Sequence, residues 1–388
     1  MARNGFDPVP ELGAMRDEGV KKIDFGGGFE GWLVTRYEDV RTVLGDPATF
    51  SNALAAKAQL AAFDEAAAEQ LAETQVGSLL SLDPPEHGRL RRMLTPEFTM
   101  RRMRRLEPRI SEIVDDHLDA MESKGPPADL VADFALPIPS LVICELLGVP
   151  YADREEFQQL SARQLDQSLP PEEQLQASLD LRTYMARLVA KARAEPGEEM
   201  LGMLVREHGD DITTEELIGV AALLLVAGHE TTSNMVSLGT LALLRHPDQL
   251  ALVRDEPAAV EPAIEELMRW LTVVHAGPAK MTTTEVELGG RKLGAGELVV
   301  SVLPAANRDP ALVERPDELD VRRGALGHLG FGHGVHHCLG APLARMEMRI
   351  AFPALLRRFP TLRAVRPDEM DAKVFSAVYG LNTLPVEW

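Results

Sequence analysis

The stretch Phe331-Gly332-His333-Gly334-Val335-His336-His337-Cys338-Leu339-Gly340 sets one of the chain's two cysteines among glycines and three histidines. Residues at helical spacing follow at once, with Leu343, Met346 and Ile350 apolar and Arg345 and Arg349 between them. Glycine lets the backbone turn left-handed and approach a flat or bulky ligand closely. A cysteine just ahead of a helix start faces unpaired N–H donors and the positive end of the helix dipole, which favour the thiolate. On the loop alone three readings stay open: a thiolate metal ligand on a rigid loop, a zinc site drawing on His333, His336, His337 and Cys338, or a Gly-rich connection with an inert cysteine. Zinc commonly takes a second ligand pair from a distant spacing, and Cys144 has no histidine near it.

Composition narrows the class. With 388 residues, 45% of them hydrophobic, the chain can bury a large multi-helix core. No long linker divides it, so residues 1–388 are expected to form a single domain. Two cysteines are too few for a disulfide framework and fit a reducing compartment. The N-terminus is polar and turn-like, and no apolar run of about 20 residues occurs, so neither a leader nor a membrane span is expected. A cytoplasmic monomer is the expectation. The net charge of −20 argues against nucleic acid as a partner. Within that acidic chain Arg89, Arg91, Arg92, Arg101, Arg102, Arg104, Arg105 and Arg109 form a basic island.

Along the chain, Gly31–Thr35 reads as a strand after a Gly-rich turn, and 37–44 as a helix ending at Gly45-Asp46-Pro47. Residues 53–77 carry few large anchors and read as a mobile helical or loop segment. Pro84-Pro85 marks a helix entry that puts His87 and Arg91 on one face, where paired donors suit a carboxylate or phosphate. Helices are expected over 106–122, 137–148 and 151–166. Cys144 reads as a core residue, and Leu169-Pro170-Pro171 as a break. The longest helix runs from a capping box at Thr213 and Glu216 to His246-Pro247. Gly228-His229-Glu230-Thr231-Thr232-Ser233-Asn234 interrupts its apolar face and predicts a local kink. A helix over 261–270 carries Glu266 and Arg269 three apart. Val286–Val302 reads as a small β-region, and 340–358 as a helix that Pro353 bends or ends.

These pieces, in this order, resemble the cytochrome P-450 family of heme-thiolate monooxygenases, nearly end to end. The family's F-G-x-G-x-H-x-C-x-G pattern is matched by Phe331, Gly332, Gly334, His336, Cys338 and Gly340. Its H-x-x-x-R falls on His87 and Arg91, its A-G-x-[DE]-T on Ala227, Gly228, Glu230 and Thr231, and its E-x-x-R on Glu266 and Arg269. The resemblance implies a mainly α fold with small β-sheets and a long central helix over heme b (iron protoporphyrin IX). It makes Cys338 the iron ligand, with Phe331 shielding the sulfur and Gly340 closing the loop. His336, His87, Arg91 and Lys280 become partners of the heme propionates, and His333 and His337 drop out as ligands. Ala227 lies on the distal side, Thr231 holds dioxygen and an ordered water, and Glu230 relays protons.

Two positions depart from the family's pattern. Lys280 stands where an arginine is common, keeping the charge and losing the planar fork. Glu318 stands where many members place the third residue of the E-x-x-R triad, leaving Arg308, Arg322 or Arg323 to substitute. The resemblance further implies insertion of one oxygen atom into a hydrophobic small molecule such as a macrolide, polyketide or terpenoid. Electrons would come from NAD(P)H through a reductase and an acidic ferredoxin docked on Arg89, Arg92, Arg101, Arg102, Arg104 and Arg105, with Arg345 and Arg349 nearby. Peroxide-driven oxidation, phenol coupling and a non-catalytic heme- or metal-binding sensor are the alternatives. The pocket is expected from 53–80, 165–177, Leu223–Ala227, Val273–Gly277 and Ser376–Leu381.

Overall fold

The Thr213 hydroxyl accepts the Glu216 N–H at 3.1 Å, while the Glu216 carboxylate accepts the Thr213 N–H at 3.0 Å. This reciprocal cap satisfies two otherwise orphaned donors and starts the longest element, the 32-residue helix Thr214–Arg245. At 1.5 Å per residue it spans about 48 Å. It packs against the helices Pro137–Leu147, Pro171–Ala194 and Ala341–Arg358, so most of its length is buried on every side. Leu238 and Leu241 are fully enclosed there, and truncating either to alanine should cost about 2–5 kcal/mol. The computed structural model describes residues 3–25, 30–61, 64–373 and 376–388; the Gly-rich turn expected before Gly31 falls outside them.

The helix is continuous through the polar run at 228–234. The sequence predicted a kink there. The perturbation is a hydroxyl back-bond, with Thr231 Oγ1 donating to the Ala227 carbonyl at 2.7 Å. His229, Glu230, Thr232, Ser233 and Asn234 are all buried against neighbouring elements.

Beside this helical body lies a five-stranded sheet in the order Lys21–Asp24, Glu30–Val34, Leu298–Ser301, Lys280–Thr282, Phe50–Ser51. The central pair, Glu30–Val34 with Leu298–Ser301, is parallel and the other pairings are antiparallel. Alternating apolar residues in these strands bury a second, smaller core with the helix Tyr37–Gly45. The pairing sets Lys280 beside Phe50 and Asn52. A hairpin of Val286–Leu288 and Arg291–Leu293 turns at Gly289 and Gly290, both left-handed. A last short hairpin, Asp371–Ala372 with Leu381–Thr383, lies near the C-terminal end.

Several elements differ from the sequence reading, each for a local reason. The helix expected over 106–122 begins at Met100. Its buried register of Met103, Ile110, Ile113 and Val114 extends back through the arginine-rich turns, where charge hides the periodicity. The 151–166 element is a 3-10 turn, Tyr151–Asp153, followed by the helix Arg154–Leu165. The Glu266 helix starts at Pro257, with Pro262 inside it. Pro353 does not end its helix, which runs to Arg358 because Phe352, Leu355 and Leu356 hold it in the core. Within 53–77 the helical reading holds: the segment folds largely as two helices, Asn52–Leu60 and Glu65–Gln75.

The ion pair Glu266–Arg269 is wholly buried and bidentate, with both hydrogen bonds at 2.8 Å. Arg269 also donates to the carbonyls of Asn307, Pro316 and Glu318. The third member is Arg323, 3.1 Å from the Glu266 carboxylate. Glu318 joins only through its backbone, since its side chain pairs with Arg315. Arg308 and Arg322 are engaged with Asp317 and Glu256 instead. An Arg269→Ala variant strands the Glu266 charge in the core and should lose about 3–5 kcal/mol in urea unfolding. Arg323→Ala, with its guanidinium nearer solvent, should lose clearly less in the same measurement.

Candidate active site

Two glycines shape the cysteine loop. Gly332 and Gly334 have φ of +73° and +71°, and a Cβ on Gly334 would sit 2.5 Å from the Leu44 carbonyl oxygen. Only glycine meets both demands. The turn closes as the Cys338 N–H donates to the Phe331 carbonyl at 2.8 Å and the His337 N–H to Gly334 at 3.0 Å. The helix Ala341–Arg358 then begins, and the N–H groups of Gly340 and Ala341 reach the Cys338 sulfur.

Cys338 has accessible surface although protein packs densely around it, as at the wall of a slot. Burial pushes its thiol pKa up, and the two N–H donors, Arg91 and Arg345 only partly oppose this. The donors expected from sequence are present, yet for the free thiol burial outweighs them. A cation at the sulfur would reverse that balance, because a coordinating thiol loses its proton outright. The zinc alternative finds no support in the geometry: among the described residues no group of three His, Cys, Asp or Glu is arranged to hold a metal ion.

Beside the loop sits a cluster short of anions. The His87 and His336 rings lie 4.3 Å apart. His87 Nε2 and both nitrogens of His336 are buried without a hydrogen-bond partner, a costly condition for polar atoms. Burial lowers both pKa values; Arg91 and then Lys280 add to it at His87, where Asp83 opposes, and His87, Lys280 and Arg91 add to it at His336, which comes down to about 3. Arg91, one turn on from His87, is half-buried. Lys280 is buried, its Nζ donating to Asn52 Oδ1 at 2.6 Å and to the Phe50 carbonyl at 3.2 Å. Burial brings its pKa down to about 8. A carboxylate-bearing group at this cluster would accept from the N–H groups of the two rings and from the nearby guanidinium and ammonium.

The long helix has one open stripe in its buried middle. Leu223, Val226, Ala227 and Thr231 keep accessible surface, and their spacing places them on a single face. Glu230 points elsewhere. Its carboxylate is buried, 2.8 Å from Lys373 Nζ, and accepts from Asn234 Nδ2 at 3.4 Å. Burial raises its pKa, but Lys373, His229 and the hydrogen bonds outweigh this and leave it lowered. Neither Lys373 nor Asn234 was singled out from sequence; Asn234 was legible as one turn from Glu230, whereas Lys373 is 143 residues away. Three expected pocket segments meet here. Ser376 bridges Asp166, Val378 bridges Val274, and the Tyr379 N–H donates to Val273 at 2.7 Å.

Below the loop, Arg345 stacks on the Phe331 ring at 4.3 Å and pairs with Glu265 at 2.6 Å, which His328 Nε2 approaches at 3.0 Å. The basic island divides. Arg89 is tied to Glu216 and the Asp211 carbonyl, Arg102 to Glu97, and Arg109 to Glu112 and Glu145. Arg92, Arg101, Arg104 and Arg105 are exposed, with no ion pair among the described residues.

A thiol at a helix start, orphaned nitrogens set for carboxylates and an open stripe on a buried helix fit a heme. Comparison with known proteins agrees. The cytochrome P450 family model matches residues 31–175 and 198–379. Cytochrome P450 FAS1 of Rhodococcoides fascians is 47% identical over 100% of this chain and 98% of its own. Among solved structures, P450 StaH from glycopeptide antibiotic A47934 biosynthesis has a TM-score of 0.88 at 44% identity, covering 100% and 98% of the two chains. CYP105P1 in complex with filipin I has a TM-score of 0.91 at 39% identity, covering 100% and 97%. The chain belongs to the cytochrome P450 family. It is a monooxygenase whose cofactor is heme b held through a cysteine thiolate, acting with dioxygen on an organic substrate. No helix among the described residues is long and apolar enough to cross a membrane.

The support under the loop carries a pH signature. Burial raises the Glu265 pKa, but Arg345 and His328 outweigh it and bring it from 4.5 down to about 2. A depressed carboxylate stabilises the fold above its unfolded pKa and loses that contribution as pH falls through the folded one. Acid unfolding should therefore steepen between pH 4.5 and about 2, and Glu265→Gln should flatten that region of a stability–pH curve.

Proposed function

We propose that this chain hydroxylates or epoxidises a hydrophobic small molecule of secondary metabolism, in the class of macrolides, polyketides or terpenoids. It acts as a single-domain monomer in the cytoplasm. Electrons come from NAD(P)H through a ferredoxin reductase and a ferredoxin. The observation that carries the reading is the open stripe ending at Thr231, with the ionised Glu230 adjacent in sequence. A hydroxyl on the open face and a buried acid beside it are the means to deliver protons in a controlled order. StaH, from glycopeptide antibiotic A47934 biosynthesis, and CYP105P1, in complex with filipin I, support a role in secondary metabolism.

In this reading Cys338 is the iron ligand, and Phe331, covered by Arg345, excludes water from the sulfur. Gly340 contributes its N–H to the sulfur and starts the helix whose dipole faces it. His87, Arg91 and His336 take the propionates, each neutral ring donating its one N–H to a carboxylate. Lys280 stands close enough to act electrostatically on both histidines and adds its charge from the sheet side. Ala227 leaves room on the distal side, and its carbonyl holds the Thr231 hydroxyl. Bound heme supplies reductive activation of dioxygen and the transfer of one oxygen atom.

The first test is spectroscopic. Reduced protein under carbon monoxide should show the red-shifted Soret band of a thiolate ligand, and Cys338→His should abolish it. A wild-type band typical of histidine ligation would overturn the assignment. Compounds that shift the ferric spin state then identify the substrate. Turnover with the NADPH-driven partners, set against hydrogen peroxide, separates monooxygenation from a peroxide-driven reaction.

Arg92, Arg101, Arg104 and Arg105, without an ion pair among the described residues, support an acidic docking partner despite the net charge of −20. Screening limits the reach of distant charges to about 10 Å at 0.1 M salt, so the local patch governs encounter. Arg89 and Arg102, expected in the same role, are already committed to Glu216 and Glu97. Reversing Arg101 and Arg104 to glutamate should slow ferredoxin-driven reduction at low salt by roughly tenfold or more. The dithionite-reduced carbon monoxide spectrum should be unaffected.

A further inference from the structure

Lys373 reaches Glu230 from the C-terminal hairpin, and the contacts around the pair close into a ring. Lys373 Nζ lies 2.8 Å from Glu230 Oε2, which also accepts from Asn234 Nδ2 at 3.4 Å. Asn234 abuts Gly380 so closely that a Cβ there would lie 1.9 Å from its Oδ1. The Gly380 carbonyl in turn accepts the Lys373 N–H at 2.9 Å. The residues just before Gly380 lie in the segment expected to wall the substrate pocket, where Val378 bridges Val274 and Tyr379 donates to Val273. The carboxylate and the wall are thus held by one turn.

We propose that Lys373 is a positioning residue for proton delivery: it fixes the charge and direction of Glu230 and ties both to the turn that walls the substrate pocket. This rests on the reading of Glu230 as a proton relay. Among the described residues the Lys373 ammonium pairs with Glu230, so it acts through that carboxylate. The geometry is demanding. A buried carboxylate with its cation removed either takes up a proton or turns toward water, and both change what Glu230 can pass on. Lys373 and His229 are the charged or titratable groups that act on Glu230 among the described residues. His229 is wholly buried and neutral, with its pKa down to about 4, so Lys373 supplies the countercharge.

The sign follows. Glu230 is held below its ordinary pKa mainly by Lys373 against burial; without the ammonium, burial is opposed only by His229 and the Asn234 amide, and the carboxyl protonates at higher pH. The test uses the heme-loaded protein as wild type, Lys373→Met, Lys373→Gln, Lys373→Arg and Glu230→Gln, each first shown to give the thiolate carbon monoxide band. Infrared difference spectra across pH should contain a protonated-carboxyl band that Glu230→Gln removes. That band should appear at higher pH in Lys373→Met and Lys373→Gln than in wild type, and Lys373→Arg should restore it. In parallel, product formed per NADPH should fall at least roughly threefold in the Met and Gln variants, with peroxide rising and Lys373→Arg recovering. A carboxyl band that titrates alike in wild type and Lys373→Met would overturn the proposal. If Glu230→Gln itself leaves product per NADPH unchanged, the relay reading has failed and the proposal falls with it. A product loss in Glu230→Gln that Lys373→Met and Lys373→Gln do not share would overturn the role of Lys373 alone.

Discussion

A guanidinium sealed from water must find a partner for every N–H, and Arg269 finds them in Glu266 and in the backbone of 307–318. That demand orders the long irregular segment leading to the cysteine loop. Asn307, whose carbonyl Arg269 holds, turns its side chain to accept the Leu329 N–H at 2.7 Å, and Phe331 follows two residues later. The Asp320 N–H and Arg323 complete the Glu266 carboxylate. The pair adds little net stability compared with an apolar replacement. Its effect is geometric, because only one path of the segment satisfies all the groups at once.

The same logic of satisfaction, left incomplete, marks the site. Elsewhere the buried cations are answered within the protein: Arg269 by Glu266, Arg308 by Asp317 and Asp7, Lys280 by carbonyl and amide oxygens. His87 and His336 are not answered, and they adjoin a sulfur whose nearby donors fall short of ionising it. Those deficits agree in sign. They call for carboxylates at one edge and a metal cation at the sulfur, the two ends of one cofactor.

Much of this was legible in the sequence because it is local. The capping box at Thr213, the His87–Arg91 turn, the Glu266–Arg269 turn and the glycines of the cysteine loop are all decided within a few residues. The start of the arginine helix was hidden, since exposed charges mask the register that Met103 continues. The persistence of helix past Pro353 was hidden as well, because packing of Phe352 and Leu355 overrides a local rule. Arg323 as the third residue of the triad, and Lys373 as the partner of Glu230, arise from chain crossings that no spacing encodes. The thiol of Cys338 shows a further limit. The helix start was read correctly, but the magnitude of burial appears only when the surroundings are built.

Arg92, Arg101, Arg104 and Arg105 hold nothing together among the described residues. Exchanging them should change the fold's stability by no more than a few tenths of a kcal/mol each, whereas exchanging Arg269 unravels the approach to the sulfur. On the proposed docking role, partner choice and oxidation chemistry are set by separate groups. A lineage could trade one electron donor for another by altering a few surface side chains, while the machinery around Cys338 stays untouched. On that role, the source of electrons can evolve faster than the reaction.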